Sequence, residues 1–112
     1  METGWVRVMA DYSSDGLWRR DGLMMSRADL PVSDALRERY VAWCRRYEDS
    51  QFYMPVEERT AEFDAEAFSA EGLAIARAVK AELPDWTVVY YDEAAAQWAG
   101  RDARRWAIEY AV

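Results

Sequence analysis

The 112-residue chain carries 21 acidic against 14 basic residues and no histidine, for a formal charge of −7. Without histidine the common zinc ligand sets, Ser-His-Asp triads and Cys-His pairs are excluded, and a pI near 4.6 disfavours unassisted binding to phosphate backbones. A hydrophobic content of 52% with six tryptophans supplies one core, so a single domain over residues 1–112 is expected and intrinsic disorder is not.

No run approaches the ~20 apolar residues of a membrane span, and the first residues have neither the basic segment nor the apolar stretch of a signal peptide. A cytoplasmic protein without a membrane partner is expected. The single cysteine, Cys44, cannot form an internal disulfide, which fits a reducing compartment.

In chain order, Trp5 to Ala10 reads as a first strand, with Val6, Val8 and Ala10 on one face and Trp5, Arg7 and Met9 on the other. Asp11 to Gly22 is rich in Asp, Ser and Gly and reads as a loop. Within it a short hairpin joins Leu17-Trp18 to Leu23-Met25 across Arg19-Arg20-Asp21-Gly22. Pro31 and the N-cap Ser33 announce a helix over about 34–48, with Leu36, Tyr40, Trp43, Cys44 and Tyr47 on its apolar stripe. Residues 48–63 read as a loop around Phe52-Tyr53-Met54. A second helix over about 64–83 ends before Pro84 and buries Phe68, Gly72, Ile75, Ala76, Val79 and Leu83, with Lys80 on a solvent-facing side. Gly72 costs about 1 kcal/mol relative to alanine in a helix, which points to close packing on a neighbour.

Trp86 to Tyr91 is β-branched or aromatic almost throughout, as a central strand would be, and a last strand is expected over about 105–111. Asp92 to Arg104 reads equally well as a long connection or as a short helix. The fold class expected is α+β, an antiparallel sheet of about four strands with the two helices packed on one face.

Charge is the most informative feature. Residues 48–71 hold Glu48, Asp49, Glu57, Glu58, Glu62, Asp64, Glu66 and Glu71 against the single base Arg59, so the whole net charge of −7 lies there and the rest of the chain is neutral. Two readings stand side by side: a solvated loop with acids at a helix start, or an electrostatic face for a basic protein surface. On the second reading Glu57, Glu58, Glu62 and Asp64 supply the field, and Phe52 and Tyr53 are the apolar anchors at its edge.

Asp11-Tyr12-Ser13-Ser14-Asp15-Gly16 matches the first half of a calcium loop, but Gly22 stands where the bidentate glutamate belongs. An Asx-type turn is the plainer reading, and Asp11, Tyr12, Trp18 and Asp21 together make a candidate recognition surface. No cofactor or metal is expected. Cys44 lies on an apolar stripe, no carboxylate spacing singles out a catalytic pair, and an enzyme is not expected. Arg101, Arg104 and Arg105 with Trp98 and Trp106 form a small basic and aromatic tail, interrupted by Asp102, that suits pairing with the acidic segment, within the chain or across a homodimer, better than direct nucleic-acid binding.

The stretches Met9-Ala10-Asp11-Tyr12-Ser13-Ser14, Gly16-Leu17-Trp18, Asp21-Gly22, Leu30-Pro31-Val32-Ser33 and Glu82 to Tyr90 resemble a family of short uncharacterised bacterial proteins. The resemblance spans most of residues 5–93, leaves out the tail from Trp98, and implies a bacterial cytoplasmic protein without carrying over any site residue. Size, charge and missing catalytic groups together favour a protein-binding module of the immunity or inhibitor type acting on a basic protein surface. The competing readings are a small-ligand or metal-binding domain using the Asp11–Gly22 loop, and a structural homo-oligomer.

Overall fold

The computed structural model describes residues 4–10, 16–49, 56–58, 65–92 and 109–112. Strand β1 (Gly4–Val8) and strand β2 (Leu17–Trp18) are followed by helix α1 (Asp34–Glu48), helix α2 (Ala65–Glu82), strand β3 (Trp86–Tyr91) and strand β4 (Glu109–Ala111). Single 3-10 turns occupy Arg27–Asp29 and Val56–Glu58. The expected α+β class with two helices and four strands is present.

The strand order is β2-β1-β3-β4. Both outer pairs are antiparallel, and the central pair β1-β3 is parallel, with Val6 beside Val88 and Val8 beside Tyr90. Side-chain alternation in a strand is the same for either direction, so sequence pattern does not encode this. The connection does: a chain leaving β1 passes through both helices before β3, long enough for the crossover that a parallel pair needs.

Helix α1 starts where the sequence places it because Ser33 caps it, its Oγ accepting from the Leu36 amide at 3.3 Å. Glu82, at the end of α2, accepts from the Ser33 amide at 2.7 Å and from Ser33 Oγ at 2.9 Å. The two helices are therefore antiparallel, with the end of α2 against the start of α1. At the opposite end Trp43 stacks on Phe68 at 4.8 Å, and its indole N–H donates to the Phe68 carbonyl at 3.0 Å.

The core lies between the helices and one face of the sheet. Val6, Val8, Leu17, Val88 and Tyr90 from the sheet meet Leu36, Tyr40, Trp43, Tyr47, Phe68, Ile75 and Val79 from the helices, all buried. Each such aliphatic or aromatic side chain contributes about 1.5–3 kcal/mol by leaving water. Cys44 is buried on the α1 stripe, as its neighbours require. Lys80 departs from expectation. It is half-buried and donates to the carbonyls of Pro84 at 3.0 Å and Trp86 at 2.7 Å. The tight turn after α2 leaves these carbonyls without helical partners, and a long flexible ammonium chain reaches both.

Gly72 is explained by contact. A Cβ built there would stand 2.5 Å from Trp43 Cζ2 and 2.5 Å from the Tyr90 hydroxyl oxygen, so the missing side chain is the notch that admits both rings. Gly72→Ala gains about 1 kcal/mol of helix propensity but overpacks the core, which typically costs about 1–3 kcal/mol. A lower urea midpoint is expected for this variant, and a raised midpoint would show that the notch is not needed.

Candidate functional site

The antiparallel helix pair brings the end of α1 and the beginning of α2 to one end of the helical layer. Glu48 and Asp49 close α1 and Glu66 opens α2, all three exposed, and Glu57 and Glu58 are exposed on the 3-10 turn between them in sequence. A carboxylate in a first helical turn is favoured by the dipole, which accounts locally for Glu66. Glu71 is different. Its carboxylate holds Arg39 of α1 at 2.5 Å and so joins the two helices. The hydrogen bond to Glu71 raises the Arg39 pKa, desolvation opposes that rise and the Glu71 charge adds to it. Glu62, Asp64, Phe52 and Tyr53, the other expected members of this face, lie outside the described residues.

Of the expected loop surface, Asp11 and Tyr12 also lie outside the described residues, as does Asp15 of the calcium-like motif. Trp18 is half-buried on β2, with its indole N–H donating to the Met9 carbonyl at 2.9 Å. Among the described residues no three of His, Cys, Asp and Glu converge as a metal site. No described helix is long and apolar enough to cross a membrane.

The hairpin after β2 forms as the sequence suggests. The Gly22 amide donates to the Arg19 carbonyl at 3.0 Å, the Arg19 amide to Leu23 at 2.8 Å and the Met25 amide to Leu17 at 2.9 Å. Gly22 has φ 87°, the left-handed conformation that closes a three-residue hairpin loop, and Asp21 accepts from the Leu23 amide at 3.0 Å. The returning arm carries Leu23 and Met24, 61% and 57% exposed. Sequence reasoning placed this arm but not its exposure, because three consecutive apolar residues show no alternation from which to read a face.

On the sheet face away from the helices, Arg7 pairs with Glu109 across β3 at 2.5 Å and lies over the Trp5 ring, 5.3 Å from its centroid. Arg20 approaches the same ring at 5.8 Å. Arg19, Arg20, Asp21, Met25 and Trp5 line an open cleft of about 360 Å³. Asp21 belongs to the expected loop surface, whereas Trp5 joins the hairpin residues only through strand pairing, which the sequence does not display.

A comparison with protein-family models matches residues 4–93 to the family described as Serratia CdiI immunity protein-like. The chain belongs to that family. The match takes in β1 through β3 with both helices, and ends before β4. No curated protein matches the chain. The described surface of this member of the immunity protein-like family presents exposed carboxylates where α1 ends and α2 begins, and an exposed apolar hairpin arm beside β2.

The tyrosine cluster at the back of α2 is structural. Tyr90 donates to the Ser69 carbonyl at 3.0 Å, and Ser69 Oγ donates to Asp92 at 2.7 Å. Burial first, then the charges of Asp92 and Tyr110, push the Tyr90 hydroxyl well above its ordinary pKa of 10.0. The unfolded chain therefore releases this proton more readily, and stability present below pH 10 is lost as the pH rises beyond it. Tyr90→Phe is expected to cost about 1 kcal/mol at neutral pH and to flatten the alkaline fall in stability. Urea denaturation at about pH 8 and about pH 11 reads both effects, and an unchanged alkaline slope would deny Tyr90 its part.

Proposed function

We propose that this chain is an immunity protein that binds a toxin protein in the bacterial cytoplasm and blocks it, with the acidic segment 48–71 docking on a basic surface of that toxin. The observation that carries the reading is membership of the Serratia CdiI immunity protein-like family over residues 4–93. The exposure of Glu57, Glu58 and Glu66, inside a segment that holds the whole net charge of −7, supports the electrostatic part. Clustered like charge costs self-repulsion, and in return accelerates encounter with an oppositely charged surface and excludes acidic competitors. Phe52 and Tyr53 supply apolar contact at the edge of that field, Glu62 and Asp64 extend it, and Asp11, Tyr12 and Trp18 form a second contact strip. Binding, with no bond made or broken, is the whole task.

The test passes lysate of the source bacterium over the tagged chain. A basic polypeptide should be retained that arrests growth when expressed alone and is harmless when co-expressed with this chain. Glu57→Lys, Glu58→Lys and Glu62→Lys combined should keep the circular dichroism spectrum and melting temperature while reducing retention at least about tenfold, as loss of electrostatic steering predicts. Retention unchanged by the triple reversal would overturn the acidic face. A retained partner without toxicity would overturn the immunity reading.

A further inference from the structure

The arm Leu23–Met25 is the outermost strand segment beyond β2, and its main chain shows which of its groups are committed. Trp18 and Met24 face each other in an antiparallel bridge whose hydrogen bonds are made by their neighbours, Arg19 to Leu23 and Met25 to Leu17. In that arrangement the N–H and C=O of Met24 itself point away from β2. Among the described residues neither group has a hydrogen-bond partner. The same arm exposes Leu23 and Met24, the large apolar side chains with the greatest exposure among the described residues.

We infer that this edge pairs with the same edge of a second copy of the chain, in an antiparallel two-fold contact centred on Met24. This goes beyond the toxin-binding reading and does not depend on it. The register is self-complementary. With Met24 opposite Met24 of the partner, the two outward N–H groups meet the two outward carbonyls, closing a hydrogen-bonded pair. The Met24 side chains meet on one face beside Trp18, and each Leu23 meets the partner's Met25 on the other. Every exposed apolar group of the arm is covered at once, and Leu23, Met24 and Met25 bring no charge into the contact. The charges beside the arm, Arg19, Arg20 and Asp21, are of both signs, and the formal excess of −7 lies in residues 48–71. A C2 contact of this kind is isologous and closes after two copies. The arm is short, ending at the Ser26 cap of the 3-10 turn Arg27–Asp29, so the dimer belongs to the small, reversible class of interfaces.

Sedimentation equilibrium of the full chain should show a mass rising from 13.0 kDa toward its double between micromolar and millimolar concentration. Met24→Lys, on an exposed side chain, should hold the chain at the monomer mass without lowering its melting temperature. The decisive arm uses geometry. Opposed residues of a hydrogen-bonded pair lie about 5.5 Å apart, within disulfide range, so Met24→Cys should crosslink two copies under mild oxidation. Leu23→Cys, opposed to Met25, should crosslink far less, and the native Cys44 is buried and does not compete. A wild-type mass fixed at 13.0 kDa to millimolar concentration, a dimer that survives Met24→Lys, or equal crosslinking of the two cysteine variants would each overturn the inference. A wild-type monomer whose Met24→Lys variant loses the toxin would assign the edge to that partner instead. Loss of toxin capture with the dimer intact would count against the immunity reading alone.

Discussion

Three elements meet at the notch of Gly72. Trp43 from α1 and Tyr90 from β3 both reach α2 there, and each carries a polar group into the interior that has to be paired. Both solve this in the same way, the indole N–H on the Phe68 carbonyl and the hydroxyl on the Ser69 carbonyl, on adjacent residues one turn before the glycine. The side chains are large, the approach is close and the partners are specific, so the position of α2 over the sheet is fixed in translation and rotation together. Because β3 is a central strand, paired with β1 on one side and β4 on the other, whatever holds α2 to β3 also sets the helical layer over the whole sheet.

That anchoring decides which acids are engaged inside the fold. Glu71 and Glu82 lie on α2 and face α1, where one holds Arg39 and the other completes the cap at Ser33. Both clamp the helix pair along its length. Exposed carboxylates stand at the end of the layer, where helix α1 stops and helix α2 begins, and others, among them Asp34, Glu38 and Asp85, are exposed elsewhere on the described surface. A field can be concentrated there with little harm to the fold, since the groups are solvated and the core beneath them is made of Trp43, Tyr47 and Phe68 in mutual ring contact.

Much of this was legible in the residues. The helix boundaries follow from Ser33 and Pro84, and the buried stripes from spacings of three and four. Val6, Val8 and Ala10 alternate as a half-buried strand must, and the glycine in α2 signals a close neighbour before that neighbour is known. What could not be read is whatever depends on pairing between distant segments. The parallel direction of β1 against β3 leaves no trace in either strand. The placement of Arg7 between Trp5 and Glu109 joins residues at opposite ends of the chain. Lys80 looks like a solvent-facing helix residue until the turn at Pro84 presents two carbonyls to it. Of the surface, sequence located the charge but gave no sign that Leu23 and Met24 stand open.

The two proposed surfaces differ in physical character, and salt should act on them in opposite directions. An acidic face works at a distance: attraction to a basic partner is strongest at low ionic strength and falls as the Debye length shortens to about 8 Å near physiological salt. An apolar strand edge works only in contact, where main-chain hydrogen bonds and apolar burial are nearly indifferent to screening. Two copies of a chain with net charge −7 repel one another at long range, so added salt removes an obstacle to edge pairing while it weakens capture of a basic partner. Charge concentrated in one segment reconciles the two. On the proposed reading the excess charge lies in residues 48–71, while the hairpin arm itself, Leu23 to Met25, carries none, so long-range repulsion between copies is the part of edge pairing that salt relieves.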